Sequence, residues 1–307
     1  MTGKAQDTRN DQVWESGLPY ALGAYLIWGL VPIFFKMLAM ASPLEVVAQR
    51  VVWSIPLLFI IMLWRGQIQD FRQIWRDRAL LRNLFLSSLL IGFNWLVYIW
   101  AVSNDHILAA SLGYYLNPLI NILLGRVFLG ERLRRLQQLS VLIAVVAVAI
   151  LLSGAIDTLW ISLALACSFA LYGLLRKVTP VPSVPGLGVE TCLLAPFAAG
   201  IIIWCEMSGI ALFGTSARVT ALMILAGAVT AIPLVMFAVA ARRMQYTTLG
   251  FVQFLAPTIV FFIGVFVYHE PLDMTRLACF GLIWLAIAIF SYDMLRNSRA
   301  NRQIVAG

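Results

Sequence analysis

The segment GYYLNPLINILLGRVFLGERL, residues 113–133, places a proline inside an apolar run and a glutamate thirteen residues after it. A similar segment, FVQFLAPTIVFFIGVFVYHEPL, returns at residues 251–272. The residues that match in register include Pro118 with Pro257, Gly125 with Gly264 and Glu131 with Glu270. Internal similarity over this distance predicts a chain built from two related halves.

The composition predicts an integral membrane protein. Hydrophobic residues make up 62% of the 307 residues and the mean hydropathy is +0.90, against roughly 45–50% apolar content in soluble domains. A helical span needs about 20 mostly apolar residues, and ten such runs lie near 18–39, 46–64, 84–103, 108–129, 137–154, 158–175, 188–205, 219–241, 247–268 and 274–294. The alternating pattern of a membrane β-barrel is absent, so the fold class is all-α with ten transmembrane helices.

Two five-helix repeats are the simplest division of these spans. The first repeat covers 18–154 and the second 158–294, with cytoplasmic tails at 1–17 and 295–307. Because five is odd, the second repeat must enter the membrane from the opposite side, and the repeats are inverted. Glu131 and Glu270 each precede a new helix, where a carboxylate complements the positive helix end. A role in transport is the alternative for both.

The positions of the basic residues predict the orientation. Of the 22 Lys and Arg residues, only Lys36, Arg50, Arg218 and Arg276 fall on or near the side opposite the N-terminus. The other 18 collect on one side, so the positive-inside rule places both termini in the cytoplasm. The basic segment at 65–82 is typical of an amphipathic helix on the inner leaflet, and a solvated loop is the alternative.

Polar and aromatic residues inside the spans are candidates for substrate binding, because polar groups are costly in a bilayer. Asn94 and Tyr98 share a polar stripe in the third span, and Tyr114 lies on a similar stripe in the fourth. The full set of substrate-binding candidates is Asn94, Tyr98, Tyr114, Asn117, Gln253, Trp28 and Tyr172. For the aromatic residues, a lipid-facing position is the alternative.

Pro118 and Pro257 predict kinks at symmetric places in the fourth and ninth spans, because proline cannot donate the helical hydrogen bond. Asn117 is positioned to satisfy the backbone that Pro118 leaves open. Ordinary helix packing is the alternative reading of the two prolines.

Four charged residues near the span ends are candidates for gating or coupling: Lys36, Glu45, Arg50 and Glu190. We expect Arg50 to close an external gate against Glu45 or Asp105, and Glu190 to close an internal gate against Arg176 or Lys177. A static ion pair is the alternative, and Lys36 and Arg50 can also extend toward the interface. Glu190 is the best candidate for proton coupling, since burial moves the pKa of a carboxylate toward neutrality.

Seven segments together resemble the RarD branch of the EamA family, in the drug/metabolite transporter superfamily. They are WGLVPIFFK at 28–36, RVVWS at 50–54, NWLVYIWAV at 94–102, SLGYYLNPL at 111–119, SFALYGLLRK at 168–177, GLGVET at 186–191 and QFLAPT at 253–258. The resemblance covers nearly the whole chain and implies a ten-helix permease of the bacterial inner membrane. The family pattern usually has His where this chain has Gln49, and often Tyr where it has Phe254.

These observations favour a secondary transporter that moves a small amphipathic or aromatic metabolite, amino acid or drug by alternating access. The resemblance favours export, and an uptake carrier is the alternative. A channel or membrane sensor is less favoured, because no span has the uniform chemistry of a pore. An enzyme is not expected, since His106 and His269 have no metal-ligand spacing. Expected partners are the bilayer, a small molecule and, as a candidate coupling ion, the proton, with no cofactor and no nucleic acid.

Overall fold

A computed structural model describes residues 17–104, 106–153, 156–269 and 274–306. Residues 1–16 of the expected tail, Asp105 and Glu270 lie outside these ranges. The described chain is all-helical, without a strand, which confirms the fold class. Its helices are α1 Leu18–Lys36, α2 Pro43–Trp64, α3 Ile68–Arg76, α4 Arg78–Ser103, α5 Ile107–Phe128, α6 Arg135–Ser153, α7 Leu159–Val178, α8 Ser183–Met207, α9 Ala217–Arg243, α10 Tyr246–Gln253, α11 Leu255–Phe266 and α12 Met274–Ala306, with a 3-10 turn Ile156–Thr158 before α7.

Nine segments of the described chain are long and apolar enough to cross a membrane, α10 and α11 together forming one of them. The remaining predicted span is α5, which has 22 residues and carries Asn117 and Asn121 in its sequence. At about 1.5 Å per residue this length also suffices to span the hydrocarbon core.

Two helix boundaries differ from those expected from the sequence. The ninth span is divided at Phe254 into α10 and α11, because Pro257 removes the N–H that would bond the carbonyl of Gln253. Pro118, by contrast, lies inside a continuous α5. The last helix continues for 33 residues to Ala306, through the segment expected to be a tail. Between α2 and α4, the expected amphipathic helix is present as α3, with Ile74 buried.

The helix contacts are symmetric between the two halves. In the first half α4 packs on α7 of the second half, and its counterpart α9 packs in the same way on α1 of the first half. The contact between α5 and α7 is likewise matched by the contacts of α10 and α11 with α1. Counterpart helices also pack directly on each other, in the pairs α2–α8, α5–α10 and α6–α12. These helix pairs therefore recur between the two halves, although α9 packs on α2 more extensively than α4 packs on α8.

Counterpart helices run antiparallel. The end of α2 lies against the start of α8, since a Cβ at Gly188 would be 3.2 Å from the Met62 side chain. The start of α2 meets the later part of α8, where Ala48 and Val51 cluster with Ala198. The same reversed order relates α5 and α10, with neighbours Gly125 and Thr247, then Pro118 and Gly250. This antiparallel order is the one that an inverted repeat requires.

One face of α2 approaches the backbone of α9 unusually closely. A Cβ at Gly227 would lie 2.8 Å from the backbone nitrogen of Ser54. The Ser54 hydroxyl donates to the Gly227 carbonyl at 3.0 Å and to the Arg50 carbonyl at 2.6 Å. Glycine at position 227 is thus what permits this contact between the halves.

One end of the bundle carries most of the basic residues, among them Arg65, Arg132, Arg176, Lys177 and Arg242, and is called the basic end below. Here cations bond to the carbonyls where neighbouring helices end. The Lys177 ammonium donates to the carbonyls of Ala241 at 2.9 Å and Met244 at 2.6 Å. Arg242 donates to the carbonyl of Val181. These bonds join α7, α8 and α9, since cations favour helix C-termini.

Glu131 and Arg134 fix the remaining helices at the basic end. The Glu131 carboxylate accepts the backbone N–H groups of Tyr246 at 2.7 Å and Thr247 at 2.8 Å, at the start of α10. Arg134 pairs with Asp293 of α12 at 2.6 Å. The structure therefore supports a structural role for Glu131, but the helix N-terminus that it binds is that of α10 and not that of α6, the helix that follows it in the chain.

Candidate functional site

A narrow cavity lies between the two halves, with room for about one water molecule. Helices α2 and α4 of the first half and α7, α8 and α9 of the second half contribute its walls. The lining residues are Val51, Ser54, Ile91, Trp95, Tyr172, Leu187, Glu190, Thr191, Leu194, Thr230, Ala231 and Leu234. The walls are mostly apolar, with a few convergent polar groups, which is the usual composition of a small-molecule site.

Toward the basic end, the cavity reaches a buried ion pair. Arg176 and Glu190 are each 1% exposed, with 3.5 Å between the guanidinium Nη1 and the carboxylate Oε1. Glu190 also accepts hydrogen bonds from Ser87 and, at 3.4 Å, from the Tyr172 hydroxyl. Arg176 donates to the carbonyl of Ser183 at 2.9 Å. The expected contact between Glu190 and Arg176 is present. Lys177, the other expected partner of Glu190, donates to the carbonyls of Ala241 and Met244 instead. The charges of Arg176 and Glu190 cancel each other.

At the other side of the cavity lies a positive charge that has no carboxylate partner among the residues that the structure describes. The Arg50 guanidinium is 4.6 Å from the Trp95 ring centroid and 5.6 Å from that of Phe35. The side chains of Tyr98 and Tyr114 lie within electrostatic range of this guanidinium. Its Nε is buried without a hydrogen-bond partner. Arg50, Trp95, Tyr98 and Tyr114 are called the Arg50 cluster below.

The two charged groups occupy equivalent positions in counterpart helices. Arg50 lies seven residues after the start of α2 at Pro43, and Glu190 seven residues after the start of α8 at Ser183. The helices run antiparallel, so each charge lies about 10 Å inside an opposite end of the bundle. Trp95 contacts Arg50 and also lines the cavity, so it separates the two sides.

Glu45 is not the partner of Arg50 in this structure, contrary to one expectation. Its buried carboxylate accepts the backbone N–H groups of Leu212 at 3.0 Å and Phe213 at 2.9 Å. Asp105, the other expected partner, lies outside the described residues. Lys36 is exposed and its ammonium lies 3.5 Å from the ring centroid of Tyr268. Both Glu45 and Lys36 hold helix ends at the side opposite the basic end.

Asn94 and Gln253 are engaged between helices and do not line the cavity. The Asn94 amide donates to the Leu165 carbonyl at 2.8 Å and to the Ser168 hydroxyl at 2.9 Å, both on α7. The Gln253 carbonyl oxygen accepts the Asn121 amide at 2.6 Å, between α10 and α5. These contacts favour a packing role for both residues.

Trp28 and Asn117 also lie away from the cavity walls. Trp28 packs in an aromatic cluster with Tyr25, Phe169 and Phe237, at centroid distances of 5.5–5.7 Å. Asn117 is buried, and its Oδ1 has no hydrogen-bond partner. It makes no bond to the backbone that Pro118 leaves open, contrary to expectation. Of the seven substrate-binding candidates, Tyr98, Tyr114 and Tyr172 remain beside the cavity or the Arg50 cluster.

Three small polar residues at the site were not identified from the sequence: Ser87, Thr191 and Thr230. Serine and threonine are common in membrane helices because they can bond their own backbone, as Thr191 does to Leu187 at 2.7 Å. A single such residue therefore carries little signal. Their positions relative to Glu190 become visible only when α4, α8 and α9 are brought together.

The fold and the cavity between inverted halves define a multi-pass membrane protein of the transporter class. The model of the EamA-like transporter family matches residues 15–153. An uncharacterized transporter of Vibrio cholerae is 40% identical over 306 residues, covering 96% of this chain and 98% of that protein. Protein RarD of Streptomyces exfoliatus is 41% identical over 289 residues (94% and 92%), and Protein RarD of Escherichia coli is 39% identical over 286 residues (93% and 97%).

The chain therefore belongs to the EamA-like transporter family, in its RarD branch. A solved structure, titled only as the crystal structure of a protein, aligns with a TM-score of 0.70 and 17% identity, over 89% of this chain and 96% of that one. At that identity the similarity concerns the fold alone. The protein is a membrane transporter.

Proposed function

We propose that the protein is a secondary transporter that moves a small amphipathic or aromatic molecule across the bacterial inner membrane by alternating access. The halves 18–154 and 158–294 would rock against each other around the cavity, as inverted repeats commonly do. The observation that carries this proposal is the cavity itself, which both halves line and which lies between Arg50 and the Arg176–Glu190 pair. We place the basic end in the cytoplasm, following the positive-inside rule.

The gates follow from the charges at the two sides. Glu190 pairs with Arg176 inside the second half and accepts a hydrogen bond from Ser87 of the first half, so this cluster joins the two halves at the basic end and acts as the internal gate. The Arg50 cluster lies on the external path, where two tyrosines are 39% and 54% exposed. Because the cavity has room for only about one water molecule, substrate entry requires the halves to separate at Trp95. Glu190 is the carboxylate best placed to couple this movement to a proton.

The direction we propose is export, and uptake is the alternative that the same architecture serves. One relative, 29% identical over 289 residues, is named Chloramphenicol-sensitive protein RarD in Pseudomonas aeruginosa. That name supports small amphipathic molecules as the substrate class. The aromatic lining near Trp95 and Tyr172 supports the same class.

The test compares metabolites in cells that lack and cells that overproduce the protein, followed by transport of the identified compound in proteoliposomes. Accumulation inside the deletion strain supports export, and depletion supports uptake. Saturable flux with counterflow is expected for a carrier. Flux without counterflow would instead indicate a channel, and no flux of any accumulated compound would indicate a sensor.

A further inference from the structure

We propose that the transported molecule carries a carboxylate that binds the Arg50 guanidinium, with its apolar or aromatic part against Trp95, Tyr98 and Tyr114. This inference rests on the proposed function and names the substrate class. It starts from a contrast between two deeply placed arginines. Arg176 has the Glu190 carboxylate and a backbone carbonyl, whereas Arg50 has only aromatic rings and neutral hydroxyls among the described residues.

Aromatic faces compensate a guanidinium only in part. Arg50 is partly buried, and a cation over a ring gains much less than burial of the charge costs, so an arginine in such a position normally has an anionic partner. The carboxylate nearest in sequence, Glu45, is already committed to the backbone of Leu212 and Phe213. The Arg50 Nε is left buried without an acceptor. The chemistry that completes this group is an anion with two oxygens, which the planar fork of arginine binds in bidentate fashion.

The neighbouring tyrosines indicate the rest of the ligand. Tyr98 is 39% exposed and Tyr114 is 54% exposed, so their ring faces are accessible to an apolar or aromatic group. Their hydroxyls lie within electrostatic range of Arg50 and make no hydrogen bond to any described residue, which leaves them free to donate to the same anion. A flat apolar body against Trp95 would then continue toward the cavity.

The charge of the cluster selects a monoanion. Arg50 supplies one positive charge and the tyrosine hydroxyls are neutral donors, so one carboxylate balances the site. A dianionic phosphate ester would leave an excess negative charge, and an ammonium group would be repelled by Arg50. Of the anions that arginine binds, the cluster therefore favours carboxylates over phosphates.

The experiment measures ligand binding to the full chain in lipid nanodiscs by saturation-transfer NMR, with four probes. These are 3-phenylpropionate, its neutral isostere 3-phenylpropionamide, the cation 3-phenylpropylamine and the phosphate ester phenyl phosphate. We expect the carboxylate to bind about tenfold more tightly than the amide, the scale of one charge-assisted bond, and the amine and phosphate to bind more weakly. Equal binding of acid and amide, or binding of no probe above empty nanodiscs, would overturn the proposal.

Variants locate the recognition. Arg50→Gln should lower the affinity for the acid to that for the amide, and the retained amide binding shows that the variant is folded. Arg50→Lys should keep part of the acid preference, because the charge remains without the fork. Arg218→Gln is the matched control, an exposed arginine elsewhere in the chain, and Asp105→Asn is the second control. Both should preserve the acid preference, and its loss in either one would place the recognition away from Arg50.

The binding and transport measurements test the carboxylate inference and the carrier function separately. If the acid binds through Arg50 but no compound shows counterflow, the carrier function is wrong and the site assignment stands. If counterflow is found for a substrate while the acid preference is absent, the carboxylate inference is wrong and the carrier function stands.

Discussion

Tyr98 and Tyr172 are chemically the same residue in two different settings. Tyr172 is fully buried, with its hydroxyl on Glu190 and its ring stacked on Phe237 at 6.3 Å. Tyr98 is 39% exposed and lies within electrostatic range of Arg50. Removing the Tyr172 hydroxyl disturbs a buried carboxylate, whereas removing that of Tyr98 leaves the protein's internal hydrogen bonds unchanged. Tyr98 is therefore the cleaner test of substrate contact.

Replacing Tyr98 by Phe should weaken the apparent affinity for the transported compound about threefold to tenfold, the range expected for one lost hydrogen bond. Ring volume and packing are kept, so the melting temperature should stay unchanged. Counterflow and thermal unfolding at matched protein levels measure the two effects. Tyr20→Phe is the control, because Tyr20 lies at the basic end, over Arg243. Unchanged affinity and rate in Tyr98→Phe would show that the site lies elsewhere.

Asn121 and Gln253 are coupled as a pair. Asn121→Leu leaves the Gln253 oxygen without its 2.6 Å donor and should lower stability by about 1 kcal/mol, as for interhelical hydrogen bonds in membranes. The double variant Asn121→Leu, Gln253→Leu should lose less than the sum of the two single variants. Thermal unfolding in detergent measures the coupling. Strict additivity would contradict the bond.

At the scale of the element, the ninth span shows how one proline shapes a helix. Pro257 leaves the Gln253 carbonyl without a helical donor, and α10 ends at that residue. Pro118 occupies the matching position in α5, yet α5 continues through it. The carbonyl of Pro118 lies beside Gly250, where a Cβ would be 2.8 Å away. Close packing of α10 on α5 therefore supports the unbroken helix, and the symmetry of the sequence is not reproduced in the backbone.

The contact between α2 and α9 should be sensitive to a single methyl group. In Gly227→Ala, the added Cβ meets the backbone at Ser54, which cannot move away as a side chain would. The helices must separate, and we expect a loss of about 1–3 kcal/mol, read as a lower melting temperature in detergent. Gly200→Ala is the matched control, since its Cβ would have no atom within 4 Å and alanine favours the helix. Equal melting temperatures would contradict the close contact.

At the scale of the whole molecule, the inverted repeat was predictable and the contents of the site were only partly so. Hydrophobic run length determines the spans, and an odd number of spans per half determines the inversion. Arg50, Glu190 and Tyr98 could be identified because charged and polar groups in a bilayer are rare. Asn94 and Gln253 are also polar residues inside apolar spans, but their side chains form hydrogen bonds between helices. Whether a polar residue faces a cavity or a neighbouring helix depends on how its own helix is rotated about its axis. The hydrophobic pattern of a span that is apolar on all sides defines this rotation poorly.

The orientation is tested by reporter fusions. A phosphatase that is active only outside the cytoplasm should be active when inserted at Asn104, an exposed turn residue between α4 and α5. It should be inactive at Gly130 and at either terminus, because those segments lie with the basic residues. Activity at Gly130 and inactivity at Asn104 would reverse the assignment of the two faces.

The bonds of Lys177 have a consequence for the order of biogenesis. While the chain is being inserted, this lysine lies in the last turn of α7, next to a short connection, where a free ammonium favours retention of that connection on one side of the membrane. Its acceptors, Ala241 and Met244, are synthesised more than 60 residues later. The ammonium is thus first a retention signal and later a structural ligand of α9. The ammonium can therefore reach these carbonyls only after α9 has been completed.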